Sequence, residues 1–213
     1  MTFSSCGGSS WPPVLIVMAL PVESQSIFER AGVPVLFSGL GKVNAAMALM
    51  RRLMQYRSAH QPLPRVVNFG SAGSRHFDTG ALVACRRFVQ RDMDVSALGF
   101  ALGHTPFEDL PAELQFPPVF AHLPEGLCGS GDSFETGAAR LHCEVLDMEA
   151  YALAKVCHVE GAYFACAKYI TDGADHAAAR DWESNLKHAA VAFWQLYQEL
   201  PLRLQEAASQ RPR

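Results

Sequence analysis

A continuous apolar run is typical of a strand that a sheet buries on both faces. Five strand-like runs rich in apolar residues, the first of them continuously apolar, dominate this chain and restrict the folds open to it. They are VLIVMAL from Val14, VPVLFSG from Val33, PRVVNFG from Pro64, ALVACRRFV from Ala81 and AYFACAKYITD from Ala162. Segments with helical spacing alternate with them, and the last is an amphipathic helix predicted from Trp182 to Leu200. This alternation predicts βαβ units, and therefore an α/β fold with a mostly parallel sheet.

The chain length favours one domain. With 213 residues, of which 49% are apolar and 18% charged, the chain can bury a sizeable core. We predict a single domain over residues 14–204. A flexible tail rich in Ser, Gly and Pro, residues 1–13, precedes it, and a polar tail, residues 205–213, follows it.

Charge and cysteine usage indicate a cytoplasmic protein with a small ligand. The formal net charge of −3 differs from the basic footprint of a nucleic-acid-binding protein. The apolar run Val14–Leu20 is too short to span a membrane, and no basic region typical of a signal peptide precedes it. The six cysteines lack CxxC spacing, and several lie in apolar runs, as reduced thiols do. We therefore expect a cytoplasmic location, with no membrane and no nucleic-acid partner.

Residues 39–56, GLGKVNAAMALMRRLMQY, predict a helix after a tight glycine turn. A dinucleotide-binding fingerprint would need a third glycine where Asn44 stands, so the turn is interpreted as close strand-to-helix packing, and no cofactor is expected. Apolar residues recur at helical spacing and predict the face that packs on the sheet. They are Val43, Ala46, Met47, Met50, Leu53 and Met54.

The eight histidines do not have the spacing of metal ligands. The sequence contains no HxxxH or HExxH motif. Cys157 and His158 are adjacent, so they do not share one face of a helix. No metal site is expected.

Carboxylates follow three of the predicted strands or their turns. Glu23 comes just after the first run, Asp172 ends the last one, and Glu149 opens a helix after the GSGDSF turn. Taken singly, Glu23 and Glu149 fit helix starts, where the helix dipole favours acidic residues, and Asp172 fits a turn or cap. In a parallel sheet they would instead meet in the crevice where α/β folds bind ligands. Glycosidic hydrolysis uses such carboxylates as acid, as water activator and as partner of sugar hydroxyls.

Six motifs occur in an order that resembles the 5′-methylthioadenosine/S-adenosylhomocysteine nucleosidases of the purine nucleoside phosphorylase superfamily. They are GLGKVNAA, VNFGSAG, RDMDVSALG, GSGDSF, LDMEAYALA and KYITDGAD. The resemblance runs from about Val14 to Leu200, nearly the whole chain. It implies a three-layer α/β/α sandwich around a central mixed, mostly parallel sheet. It also implies hydrolysis of the N-glycosidic bond of adenine nucleosides.

The resemblance assigns catalysis to two carboxylates. Asp172 matches the general acid that protonates N7 of the purine, and Glu23 matches the residue that binds and activates the attacking water. Thr171 stands beside the acid in place of a serine, and its hydroxyl would orient the carboxyl. Ser71 matches part of the wall near the nucleophile.

The resemblance also assigns substrate-binding roles. Glu149 matches the acceptor of the ribose hydroxyls, Met148 the floor under the sugar, and Phe134 the aromatic side chain that stacks on adenine. Leu98 and Pro106 fall where the family lends apolar residues to the neighbouring subunit's pocket. That match implies a homodimer with shared active sites.

The sequence departs from the family pattern around the pocket. Lys168 stands where arginine is usual, and Pro21 and Val22 replace acidic residues just before the water activator. The segment before GLGKVNAA and the segment between Phe134 and Glu149 are both short. These changes leave the preferred 5′ substituent open.

Hydrolysis is favoured over phosphorolysis on grounds of charge. Similar phosphorylases carry a phosphate-binding arginine where Asn68 stands in VNFGS. Glu23 beside the sugar would repel phosphate and can activate water. Two other interpretations stay open, a phosphate-dependent purine nucleoside phosphorylase and a nucleoside-binding sensor without turnover.

Overall fold

A computed structural model describes residues 12–133, 140–173 and 178–209 of the chain. Its strands are β1 (Val14–Met18), β2 (Val35–Phe37), β3 (Arg65–Gly73), β4 (Leu82–Gln90), β5 (Glu113–Gln115), β6 (Glu125–Ser130), β7 (Val145–Asp147) and β8 (Phe164–Asp172). Its helices are α1 (Pro21–Ser24), α2 (Ile27–Arg30), α3 (Lys42–Ser58), α4 (Ala150–Glu160) and α5 (Ala178–Ser209), with a short 3-10 helix over Ser96–Leu98. Within the described ranges, no helix is long and apolar enough to cross a membrane.

The eight described strands form one mixed sheet that closes on itself. β2, β1 and β3 are parallel neighbours, and β3 pairs in parallel with β8 along its length. β8 pairs antiparallel with β4, β4 pairs in parallel with β6, and β6 pairs in parallel with β7. β7 returns to β3 through one antiparallel pair, Gly73 with Leu146. The strands β3, β8, β4, β6 and β7 therefore form a ring, with β1, β2 and β5 as extensions.

Helices bury both faces of this sheet. Along β1, Leu15 and Val17 pack with α3 and α4, whereas Ile16 and Met18 pack on the opposite side with α2 and α5. Alternate residues of one strand thus enter two different cores, which explains why the strand is a continuous apolar run. The predicted three-layer α/β/α sandwich with a mixed, mostly parallel sheet is confirmed.

The face of α3 that packs on the sheet differs from the predicted one. Ala45, Leu49 and Leu53 are buried, whereas Val43 is 68% exposed and Met47 is 54% exposed. The prediction was right for Leu53 and wrong for Val43, Met47 and Met54. α3 carries apolar residues around most of its circumference, so helical spacing alone fits two faces and does not select between them.

α5 ends later than predicted, and the helical segment after β1 is interrupted. The residues after β1 form two short helices, α1 and α2, because Gln25 and Ser26 between them adopt left-handed φ angles of 46° and 56°. α5 continues through Pro201 as far as Ser209, past the predicted end at Leu200 and into the segment predicted as a tail.

Candidate active site

The ends of β1, β3, β7 and β8 meet around one pocket, a cavity of about 180 Å³. β1, β3 and β8 are parallel, so their carboxyl ends lie at one edge of the sheet, whereas β7 reaches that edge through its antiparallel pair with the end of β3. Most of the predicted site residues line the cavity. They are Glu23, Ser71, Met148, Glu149, Thr171 and Asp172.

Glu23 is held in place by four hydrogen-bond donors. It lies in α1, which Pro21 begins directly after β1. Its Oε2 accepts the backbone N–H groups of Ala19 at 2.9 Å and Leu20 at 3.0 Å. Its Oε1 accepts the backbone N–H of Ser71 at 2.9 Å and the Ser71 hydroxyl at 2.8 Å. The structure therefore fixes Glu23 and Ser71 together at the base of the pocket.

Asp172 ends β8 at an irregularity of the sheet. The register between β3 and β8 shifts after Ala72, so that Gly73 pairs with Asp172. The hydroxyl of Thr171 lies 2.9 Å from Asp172 Oδ2 and 3.3 Å from the Ala72 carbonyl oxygen. The side-chain amide of Asn185 in α5 donates to the Thr171 carbonyl at 3.0 Å. Thr171 is thus held by β3 and by α5, and its hydroxyl lies against the Asp172 carboxylate.

Glu149 is the N-cap residue of α4, and its Oε1 accepts the backbone N–H of Gly41 at 2.8 Å. Burial raises the pKa of Glu149 to about 7, and the charge of Asp147 adds to this rise. The ammonium group of Lys168 and the Gly41 N–H oppose it. Glu149 therefore changes its charge near neutral pH, and its ionised form is an acceptor for hydroxyl groups.

A buried ion pair crosses the inside of the ring of strands beneath these carboxylates. Lys168 Nζ of β8 lies 2.8 Å from Asp147 Oδ2 of β7, and the two side chains are 2% and 1% exposed. Asp147 also accepts the hydroxyl of Ser130 and the backbone N–H of Ala150, while Ser130 Oγ accepts the N–H of Tyr151. This network satisfies the first two donors of α4 and so fixes the helix that begins beside Glu149.

Both partners of the ion pair are charged. Burial raises the pKa of Asp147, but Lys168 outweighs it and the pKa lies below its ordinary value. Burial lowers the pKa of Lys168, but the charge of Asp147 outweighs it and the pKa lies well above its ordinary value. Sequence reasoning missed Asp147. The available signal was a single lysine in the otherwise apolar strand AYFACAKYI, because a buried cation needs a buried anion.

The remaining predicted residues lie elsewhere. Leu98 is 71% exposed on the 3-10 helix, Pro106 lies in the following loop, and neither lines the pocket described for this chain. Phe134 lies outside the described residues. Arg91 and Ser133 also line the pocket and were not predicted.

Residues 27–200 match the sequence model of the phosphorylase superfamily. The 5′-methylthioadenosine/S-adenosylhomocysteine nucleosidase of Marinomonas sp. (strain MWYL1) is 31% identical over 186 residues, which cover 76% of this chain and 78% of that protein. The nucleosidase of the same name from Colwellia psychrerythraea, solved with adenine, has a TM-score of 0.78 at 22% identity, covering 92% of this chain and 96% of that chain. Futalosine hydrolase of Helicobacter pylori has a TM-score of 0.74 at 21% identity, covering 94% of this chain and 98% of that chain.

The fold and the matched residues are those of the phosphorylase superfamily. Within it, the chain belongs to the family of 5′-methylthioadenosine/S-adenosylhomocysteine nucleosidases. The resemblance of the six sequence motifs to that family is thereby confirmed.

The buried ion pair predicts that removing one of its two charges destabilises the protein strongly. Asp147→Asn removes one charge and leaves the Lys168 ammonium uncompensated in the core, which should lower the free energy of unfolding by about 3–5 kcal/mol. Denaturant unfolding measures this loss. The double variant Asp147→Asn, Lys168→Met should lose less than the sum of the two single variants.

An exposed ion pair provides the matched control. Glu125 pairs with Arg86 at 2.8 Å, and both side chains are about 40% exposed. Glu125→Gln should change the free energy of unfolding by less than about 1 kcal/mol. Equal losses for Asp147→Asn and Glu125→Gln would contradict a charged, buried pair.

Proposed function

We propose that this protein hydrolyses the N-glycosidic bond of adenine nucleosides such as 5′-methylthioadenosine or S-adenosylhomocysteine and releases adenine. The observation that carries the proposal is the meeting of Glu23, Glu149 and Asp172 in one pocket, each at most 7% exposed. Three carboxyl groups in one site can protonate a base, take a proton from water and bind sugar hydroxyls.

Asp172 is the general acid. Adenine leaves poorly as an anion, so N7 gains the Asp172 proton while the C1′–N9 bond breaks and its electron pair moves to the base. The Thr171 hydroxyl, 2.9 Å from Oδ2, holds the carboxyl in one orientation for this transfer. Once ionised, Asp172 can accept the exocyclic amine of adenine, whereas a 6-oxo group would place a lone pair against it. Adenine nucleosides are therefore preferred over inosine.

Glu23 activates the attacking water. As the base departs, the sugar becomes oxocarbenium-like, water attacks C1′, and Glu23 takes the water proton. Three of the four donors on Glu23 are backbone N–H groups, which are fixed. The Ser71 hydroxyl is the fourth and can rotate, so a water can donate to Oε1 in its place. The attacking water is therefore bound next to Ser71, at Glu23 Oε1.

Glu149 binds the ribose hydroxyls. Its Oε1 is engaged by Gly41, and its ionised carboxylate has further lone pairs for hydroxyl donors. Met148, the preceding residue, lines the same pocket and offers an apolar surface under the sugar ring. The site therefore has a polar and an apolar contact for the sugar on adjacent residues.

Charge in the pocket disfavours phosphate as the nucleophile. Asn68, at the position of the phosphate-binding arginine, is 2% exposed and donates its amide to the Val17 carbonyl at 3.1 Å. Among the described residues, Lys168 pairs with Asp147, and Arg91 donates to the carbonyls of Gly131 and Ser133. A phosphate dianion would meet three carboxylates, and it would have to displace those carbonyls to reach the Arg91 guanidinium.

Adenine release in phosphate-free buffer tests the proposed function. The protein should release adenine from 5′-methylthioadenosine without phosphate, and added phosphate should neither speed the reaction nor yield a phosphorylated sugar. Inosine should be cleaved much more slowly, by a factor of about ten or more, the scale of one mismatched buried hydrogen bond.

Each alternative has its own outcome in this assay. A strict requirement for phosphate would identify a phosphorylase. Nucleoside binding without release of adenine would identify a sensor. Equal rates for inosine and its adenine counterpart would contradict the role of Asp172 in base recognition.

The two catalytic carboxylates can be tested by isosteric amides. Asp172→Asn and Glu23→Gln should each lower kcat by at least about 100-fold, the usual scale for losing general acid–base catalysis. Both variants should stay folded and still bind free adenine. Asp78→Asn is the matched control, because Asp78 is an exposed loop residue away from the pocket, and its kcat should not change. A near-normal kcat for Asp172→Asn would show that the acid is misassigned.

The active enzyme is a homodimer with shared sites. Leu98 is 71% exposed and Phe107 is 95% exposed. Both lie after Asp92 in the chain, and Asp92 pairs with Lys42 at the start of α3. That end of α3 carries the exposed Val43, with Met47 one turn further on. Exposed apolar side chains at these positions favour a protein contact. A second copy would cover it and bring Leu98 and Pro106 to the pocket of its partner.

Solution mass and activity together test the shared site. Light scattering should give twice the chain mass of 23.3 kDa. Leu98→Asp should shift the protein towards the monomer and raise KM, because a buried charge weakens the interface. Leu202→Asp is the matched control at another exposed leucine, on α5, and should leave mass and KM unchanged. A fully active monomer would contradict the proposal.

The proposed setting is the cytoplasm. The cysteines of the described ranges are free thiols: Cys85, Cys128, Cys143, Cys157 and Cys166. Cys85 and Cys166 lie opposite each other across β4 and β8, where an oxidising compartment could link them. A reducing compartment keeps this part of the core unlinked.

A further inference from the structure

The position of the Glu149 carboxylate depends on the start of α3. Gly41, which donates to Glu149 Oε1 at 2.8 Å, is the N-cap residue of α3, while Glu149 is the N-cap residue of α4. One hydrogen bond thus joins the first turns of two helices. A shift of the first turn of α3 would withdraw the donor from Glu149.

Charged groups outside the pocket hold that first turn. Lys42 donates its backbone N–H to Asp132 Oδ1 at 2.8 Å. Its ammonium group pairs with Asp92 Oδ1 and lies 3.6 Å from Asp132 Oδ2. The backbone N–H of Asp132 donates to Asp92 Oδ2 at 3.0 Å. We call Lys42, Asp92 and Asp132 the Lys42 cluster. It joins α3, the loop after β4 and the turn after β6.

The contact between Gly41 and this cluster is close. Gly41 has a φ of +86°, and a Cβ atom built on it would lie 3.0 Å from Asp132 Oδ1. Both the backbone conformation and the space favour glycine. Gly41, whose N–H donates to Glu149, therefore lies directly beside the Asp132 carboxylate.

We propose that Lys42 is a positioning residue for substrate binding: by holding Asp92 and Asp132 together, it keeps the Gly41 N–H on Glu149 and so aims Glu149 at the ribose. Lys42 does not touch the substrate. The inference rests on the proposed function in that Glu149 is the ribose-binding group.

The charge of Lys42 is the feature that this role requires. Burial raises the pKa of Asp92, but hydrogen bonds from Lys42 and from the Asp132 N–H outweigh it, and the pKa lies below its ordinary value. Without the ammonium group between them, the carboxylates of Asp92 and Asp132 would be neighbouring like charges, and they would repel each other. The Lys42 side chain is 14% exposed, so solvent screens its ion pairs only in part.

The pH dependence of activity reports on the Gly41 hydrogen bond. The charged groups that act on Glu149 are Asp147, Lys168 and Glu23, and they lie on three other elements. Ribose hydroxyls bind the ionised carboxylate, so kcat/KM should rise as the pH rises through about 7, where Glu149 ionises. Losing the Gly41 donor removes one group that lowers the pKa of Glu149, so this rise should move to higher pH.

Lys42→Met tests the proposal. For 5′-methylthioadenosine, KM should rise about tenfold, the scale of one lost hydrogen bond to a charged group, with a smaller change in kcat. The rise of kcat/KM with pH should shift upwards, and the affinity for free adenine should stay unchanged. Lys42→Arg keeps the charge and should restore both KM and the pH profile.

Lys187→Met, the same substitution at an exposed position of α5, is the matched control and should behave like the unchanged protein. The proposal is overturned if Lys42→Met matches Lys187→Met in KM and pH profile. It is also overturned if adenine affinity falls as much as nucleoside affinity, which would indicate general damage to the pocket, or if Lys42→Arg fails like Lys42→Met.

A binding measurement separates this proposal from the proposed function. The probe is 7-deaza-5′-methylthioadenosine, in which carbon replaces N7, and calorimetry measures its Kd beside that of adenine. If the unchanged protein releases no adenine, the proposed function fails. Lys42→Met should still weaken the probe about tenfold relative to adenine. Equal affinity of Lys42→Met and the unchanged protein for the probe would overturn the positioning role alone.

Discussion

The ion pair between Asp147 and Lys168 is the interaction on which the pocket depends. Neither charge can be removed alone, because its partner would remain inside the ring of strands. The same Asp147 carboxylate, with Ser130, satisfies the first donors of α4. The backbone of Glu149, the N-cap residue of α4, is therefore held in place. Lys168, which stands where the family pattern has arginine, meets the Asp147 carboxylate with its single ammonium group.

Much of the fold and of the candidate site could be predicted from strand ends. The continuous run of β1 predicted burial on both faces, and its residues do enter two cores. Glu23, Glu149 and Asp172 were expected to converge because the carboxyl ends of parallel strands share an edge, and they line one cavity. That reason holds for Glu23 and Asp172, whereas Glu149 follows β7, which runs antiparallel to β3. Their chemical roles came from the family resemblance and stay predictions.

The rest depended on contacts that local spacing does not encode. Lys42 meets Asp132 across 90 positions of the chain, and no motif marks either as paired. The helix α3 was predicted correctly, but part of its buried face was not, because a pattern identifies apolar stripes but not the neighbour that each one meets. The exposed Leu98 shows most directly what a single chain cannot reveal, since the pocket that it is expected to contact belongs to a second copy.

Gly73 links two functional strands through its backbone. It pairs with Asp172 on β8 and with Leu146 on β7, just before the Met148–Glu149 step. The main-chain positions of Asp172 and of the segment that leads to Glu149 are therefore linked through the backbone of one glycine. Proteins named for different nucleosides share this fold. Changes in the loops around the pocket can therefore alter which nucleoside fits without disturbing these main-chain pairings.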